Sequence, residues 1–419
     1  MKLKMTRWIA GVIIMMAAVG SFAQEKLARL TPQLSATSAR ARAQAACGLG
    51  RLGFRAETAI PALVSLLGDG TALDELDCHR GGWRSDHERE TSPGQQAAIA
   101  LADIGNASFA PLVSALGDVS STVQKNAALG LGHLEDERAV APLVARLEIE
   151  DDMPVVREQT AWALGRIESR DATAALASTL QKDAHEKVRE QAAWALGKVE
   201  DPSGVRPLVE ALTDSSARVR EQSAWALGKL DARDAVPGLS RAVSDSDAGV
   251  REQASWALGK IEDRGALPAL IGAMSDSSEN VREQAAWALG RISDDSALGA
   301  LMKGLGDSDA NVREQSAWAL GKIESTASTN ALGRALTDSN ANVREQAAWA
   351  LGKIKDTGAT ESLMQALADD DADVREQAAW ALGKIRDEKA VDALAQALQD
   401  DDANVREQAA WALGRLTRR

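Results

Sequence analysis

The sequence predicts an all-α protein: an α-solenoid, or superhelix, of about twelve stacked helix hairpins with a 31-residue period. Three observations predict it. First, a twelve-residue phrase at 250–261, V-R-E-Q-A-S-W-A-L-G-K-I, recurs in near-identical copies beginning at Val156, Val188, Val219, Val281, Val312, Val343, Val374 and Val405. Its Trp returns at Trp162, Trp194, Trp225, Trp256, Trp287, Trp318, Trp349, Trp380 and Trp411, first after 32 residues and then always after 31. A fixed period in this range marks stacked repeats. Second, Val250, Ala254, Ala257, Leu258 and Ile261 fall on one stripe at 3.6 residues per turn. Third, Ala, Leu, Glu, Gln and Arg dominate the composition, and Tyr is absent.

Each repeat reads as two helices. The phrase is helix B. Three residues before its Val stands a residue suited to capping a helix start: Ser216, Asp247, Ser278, Asp309, Asn340, Asp371 or Asp402. Lys or Arg follows the Gly near the helix end, as the helix dipole favours. A weaker helix A precedes it; in 266–275 Leu267, Leu270, Ile271 and Met274 share a face. Pro142, Pro207, Pro237 and Pro268 sit in first turns of such helices, where proline is tolerated. One hairpin cannot bury its apolar face alone, but stacked neighbours can.

In chain order, residues 1–23 read as a secretory signal peptide. Lys2, Lys4 and Arg7 give a basic start and an uncharged apolar run follows. Ser21-Phe22-Ala23 offers small residues for cleavage before Gln24. The mature chain is then expected to be secreted or periplasmic, with no membrane segment. Residues 24–134 read as degenerate repeats, in which Cys47, Ile99 and Leu129 occupy the Trp column. They carry an inserted loop, 69–94. Residues 135–419 are regular repeats and stop directly after a B helix with no polar end cap in view. The uncapped C-terminal repeat leaves end-to-end self-association open.

The pattern D-x5-R followed by A-x-x-A-L-G-x-[IVL] resembles the HEAT-like repeat of the phycobilisome-lyase type, here with a leader of the secreted bacterial kind. Its Asp and Arg stand at Asp214/Arg220, Asp245/Arg251, Asp276/Arg282 and Asp307/Arg313, and likewise at Asp151/Arg157, Asp183/Arg189, Asp338/Arg344, Asp369/Arg375 and Asp400/Arg406. The resemblance implies a structural ladder of these residues linking adjacent repeats. It also brings enzymes into view. Deoxyhypusine hydroxylase holds a di-iron centre on His-Glu pairs in a phrase like V-R-H-E-A-A-x-A-L-G. The matching positions here read Glu221-Gln222, Glu252-Gln253 and Glu283-Gln284, so the metal-binding His is missing. An oxidoreductase or a bilin-lyase-like activity is therefore the alternative reading and the disfavoured one.

Other chemistry is sparse. In the loop, Cys78, His79 and His87 could offer ligands with Asp77, Asp86 or Glu88, but C-H-x7-H is not a zinc spacing. No cofactor and no metal are expected. Cys47 and Cys78, the only two Cys, either form a disulfide or remain thiols. The formal charge of −13 argues against nucleic acid, whose binding rests on neutralising phosphates with Lys and Arg.

The wheel of helix B suggests a binding face instead. Arg251 and Gln253 lie about 80° to either side of the core stripe, while Glu252, Trp256 and Gly259 lie about 145° to 175° away. Glu221, Glu252, Glu283 and Glu314 would thus flank the Trp row. At the usual 8–10 Å between packed helices, nine Trp would make a ladder on the order of 70–80 Å long. Either the row lines a groove for a protein or an extended peptide, or each Trp lies flat over a Gly and covers the repeat junction. The reading is a non-enzymatic interaction scaffold whose concave B-helix face takes the partner.

Overall fold

A computed structural model describes residues 22–74, 90–149 and 153–416. Most of the leader, the middle of the inserted loop with Cys78, His79 and His87, and Asp151 lie outside the described residues. The chain forms two compact units, Met1–Pro207 and Leu208–Arg419. Each is a stack of helical hairpins, and the fold is an α-solenoid.

In the first unit the B helices are Ala39–Gly50, Pro93–Ile104, Ser121–Leu134, Pro154–Ile167 and Glu186–Val199. In the second they are Ala217–Lys229, Ala248–Ile261, Glu279–Ile292, Ala310–Ile323, Ala341–Ile354, Ala372–Ile385 and Ala403–Leu416. Within each unit a B helix packs on the next B helix and on its own A helix. The expected stripe is the core: Val250, Ala254, Ala257 and Leu258 are fully buried, with Ile261 almost so.

Local differences from the sequence reading have simple causes. Helix A is shorter than 266–275: a 3-10 turn, Arg264–Ala266, precedes an α-helix of seven residues, Leu267–Ala273. Leu267, Leu270 and Met274 are buried with Ala266 and Ala273, while Ile271 turns partly to solvent. Asp247, Asp309, Asn340 and Asp371 cap their helices by accepting two backbone N–H groups each. Ser216 and Ser278 occupy the cap position without a side-chain bond.

The inserted loop is closed at its base by a two-stranded antiparallel ladder, Leu73–Asp74 against Glu90–Thr91. It ends earlier than 94, because Ser92 caps a helix that starts at Pro93. Gly94 is already inside that helix. A methyl there would stand 2.6 Å from both the Asn126 amide nitrogen and the Leu67 carbonyl oxygen, so the close approach of backbone requires glycine.

Candidate interaction surface

The Asp–Arg pattern builds two kinds of bond. Arg251 donates from Nε and Nη2 to the carboxylate of Asp276 in the next repeat, at 2.7 and 2.8 Å. Its Nη1 donates to the backbone oxygen of Asp245, six residues earlier in its own repeat. The same bidentate step recurs from Arg220 to Asp245, Arg282 to Asp307, Arg313 to Asp338, Arg344 to Asp369 and Arg375 to Asp400. In the first unit Arg157 joins Asp183 and Arg42 joins Asp69. Between these the ladder is interrupted: Gly94 and Gln124 stand in the Arg column. The Gln124 amide still donates to the Asp118 carbonyl, which keeps the bond within the repeat.

Each ladder Asp is partly buried, and burial alone would raise the Asp276 carboxyl. Hydrogen bonds from Arg251 and from the Ser278 N–H, with the Arg251 charge, more than offset that and hold it below its ordinary value. A planar fork against a carboxylate is the geometry in which such bonds are strongest.

The Trp column is half-buried rather than outward. Cζ3 of Trp256 would lie 2.7 Å from a methyl placed at Gly228 of the preceding repeat, and Cα of Ala257 would lie 2.8 Å from it. The same pairing joins Gly132 to Trp162, Gly165 to Trp194, Gly259 to Trp287, Gly290 to Trp318, Gly321 to Trp349, Gly352 to Trp380 and Gly383 to Trp411. Only Trp411 reaches 36% exposure. This corrects the wheel on Gly259. It is buried under the next repeat, not outward, because B helices pack so closely that the side opposite the stripe is covered as well. The indoles cover the repeat junctions and keep part of one surface in solvent.

Cations stand over three of the indoles. Arg291 lies over the Trp287 ring at 5.5 Å, Lys384 over Trp380 at 5.3 Å and Arg415 over Trp411 at 5.2 Å. On the other side runs a column of half-buried Glu, of which Glu221, Glu252, Glu283 and Glu314 are four. Burial pushes Glu283 up first; the nearby charges of Asp309, Glu252 and Glu314 add to it. Glu345 and Glu376 are raised for the same two reasons.

A further ladder was missed in the sequence. From Ser121–Leu134 to Ala372–Ile385 the B helices are followed by a left-handed residue that is not glycine: Glu135, Glu168, Glu200, Asp231, Glu262, Ser293, Glu324, Lys355 and Arg386. Such a conformation disfavours side chains with a Cβ. Here four of the acidic ones reach the cation after the next repeat's Gly. Glu135 pairs with Arg166, Glu168 with Lys198 at 2.6 Å, Glu262 with Arg291 and Glu324 with Lys353 at 2.9 Å. The signal was present as Glu two residues past G-[KR], but a helix C-terminus read alone favours no acid there.

A family model for HEAT repeats matches residues 93–155, 148–227, 205–279, 267–338, 300–379 and 360–418. The chain belongs to the HEAT-repeat family. An uncharacterized protein in the gldA 3′ region of Geobacillus stearothermophilus is 35% identical over 65 residues, 16% of this chain and 30% of that protein. This HEAT-repeat chain thus matches under a third of that curated relative's length. Among solved structures, an engineered protein is 21% identical with a TM-score of 0.49, the likeness covering 93% of this chain and 98% of that one. The Escherichia coli protein YibA is 24% identical with a TM-score of 0.44, over 58% of this chain and 92% of its own.

Among the described residues no group of His, Cys, Asp and Glu could hold a metal ion, and no helix is long and apolar enough to cross a membrane. Cys47 is disulfide-bonded, with its sulfur 3.1 Å from Oε1 of Gln96. Cys78 lies outside the described residues.

Proposed function

We propose that this HEAT-repeat protein is an exported, non-enzymatic scaffold that binds an extended, basic polypeptide segment along its B-helix face. HEAT repeats as a class serve protein interaction, and no catalytic family accompanies the match. The observation that carries the reading is the Glu column of residues 208–419. Glu283, Glu345 and Glu376 are partly desolvated and repelled by their neighbours, so their charge is not neutralised within the fold. A partner's Lys or Arg supplies the missing countercharge, and the exposed part of each indole supplies apolar contact beside it.

Spacing narrows the partner further. Packed helices repeat every 8–10 Å. A polyproline-II segment rises about 3.1 Å per residue with three residues per turn. Every third side chain of such a segment therefore faces the same way at roughly 9 Å intervals, one per repeat. The scaffold suits a segment with Lys or Arg at every third position. End-to-end self-association has weaker chemistry, since the first repeat carries Cys47 and Ala36 where internal junctions carry Trp and Asp. The leader at 1–23 supports export to a secreted or periplasmic location.

Trp to Ala changes are a poor test, because each indole also fills a junction. Glu252→Gln, Glu283→Gln and Glu314→Gln together leave packing intact. A labelled proline-rich peptide with Lys at every third residue should bind the parent in anisotropy titrations. The triple variant should bind it at least tenfold more weakly. Equal affinity for the two proteins would sink the proposal.

A further inference from the structure

The turn edge changes sign near the C-terminal end of the second unit. At Glu262 and Glu324 the left-handed residue after helix B is an acid that meets the next repeat's cation. At the last two junctions it is Lys355 and then Arg386, both exposed. The cations they would have met are Lys384 and Arg415, the counterparts of Lys353 in the Glu324 pair. None of these four makes an ion pair among the described residues, while Lys353 does. Four cations thus stand at two successive junctions, whereas the junctions at Glu262 and Glu324 each pair a carboxylate with a cation. Arg415 has, in addition, a buried Nε with no hydrogen-bond acceptor.

Helix dipoles do not account for the switch. A base is favourable beyond a helix C-terminus, but the dipole is the same at every repeat, and six of the nine left-handed positions are acidic. The neighbouring acids are engaged already: Glu324, which the Lys355 charge also reaches, is paired with Lys353. Asp356 accepts from Thr329 and from the Gly358 N–H, and Asp387 accepts from Thr360 and from the Lys389 N–H. Their carboxylates are committed to holding the 3-10 turns. In a chain of net charge −13, this is a local basic edge on an acidic body.

We infer that the edge formed by Lys355, Lys384, Arg386 and Arg415 is a second docking surface, and that it takes an acidic polypeptide segment. Charge complementarity sets the sign of the partner. The short extent, two junctions, suits a few carboxylates on an extended chain. A long polyphosphate backbone would be repelled by the acidic body beyond the edge.

The test uses a fluorescent twelve-residue peptide with Glu at every third position, its Gln counterpart, and the full chain at low ionic strength. Lys355→Glu with Arg386→Glu places there the acid found at Glu262 and Glu324, so the variant keeps or gains thermal stability. The parent should bind the Glu peptide and not the Gln peptide, with affinity falling as salt rises. The double variant should lose at least tenfold. Lys303→Glu with Arg334→Glu, an equal charge change on the exposed face of A helices, should lose less than twofold. The inference is overturned if the parent ignores the Glu peptide, if the double variant binds it equally, or if both variants lose affinity alike. It is also overturned if a short DNA duplex outcompetes the peptide, or if sedimentation shows that the edge instead joins two copies of this chain.

Discussion

Gly290 tests the junction most sharply, because two effects of opposite sign compete there. It lies inside the helix Glu279–Ile292, where replacing Gly by Ala ordinarily stabilises by about 1 kcal/mol. The new methyl, however, would stand 2.6 Å from Cζ3 of Trp318 and 2.8 Å from both Cα and Cβ of Ala319. Carbon atoms rest at about 3.5–4.0 Å, so the two B helices must part by roughly 1 Å or the indole must leave its seat. Overpacking of this kind costs about 1–3 kcal/mol. The backbone contact puts Gly290→Ala at the upper end, because Ala319 Cα cannot rotate away. The net expectation is a loss of about 1–2 kcal/mol. Gly272 is the control: it lies in the helix Leu267–Ala273 and nothing stands within 4 Å of its added methyl. Gly272→Ala should gain about 0.5–1 kcal/mol. At about 2–4 °C per kcal/mol for a body of this size, the two melting midpoints move apart by several degrees, in opposite directions. Trp318→Ala should make Gly290→Ala less costly, a coupling that a double-mutant cycle reads directly. A Gly290→Ala protein as stable as the parent would refute the packing argument.

Asp276→Ala leaves the Arg251 fork without its acceptor and should cost about 1–3 kcal/mol, read by urea unfolding; an unchanged midpoint would reduce the ladder to decoration. Because the folded Asp276 carboxyl lies below its unfolded value, its stabilisation is present above about pH 4 and is lost as pH falls through the folded value. Acid unfolding should therefore be less steep in Asp276→Asn. The raised Glu283, Glu345 and Glu376 behave oppositely. A cationic partner draws their protonation down, so binding near pH 5 should release protons, measured as a buffer-dependent calorimetric heat. Titration of unfolded, non-reduced protein should find no reactive thiol if Cys47 is bonded to Cys78; two thiols would exclude that bridge.

The fold was legible because a 31-residue period and a helical stripe agree, and Val250, Ala254 and Leu258 are core for the reason the stripe gave. The ladder of Asp and Arg was legible as a recurrence, but its wiring was not. Sequence spacing displays Asp276 beside Arg282, whereas the carboxylate bonds Arg251, and only the carbonyl serves Arg282. Gly259 was misplaced because a wheel describes one helix, and burial here comes from two neighbours. Glu262 was invisible as a site residue because its partner, Arg291, lies 29 residues away, across a junction that no local pattern records.

The junction has one further consequence. It is directional and self-similar: each repeat contributes Arg and Gly forward, and receives Asp and Trp from the repeat that follows. Removing residues 279–309 would set Trp318 over Gly259 and leave Arg251 with Asp276, so that no contact lacks its counterpart. The chain can therefore gain or lose whole 31-residue modules as a ruler gains or loses graduations. The reach of its B-helix face is then set by copy number, adjustable by unequal recombination without a single new contact being invented.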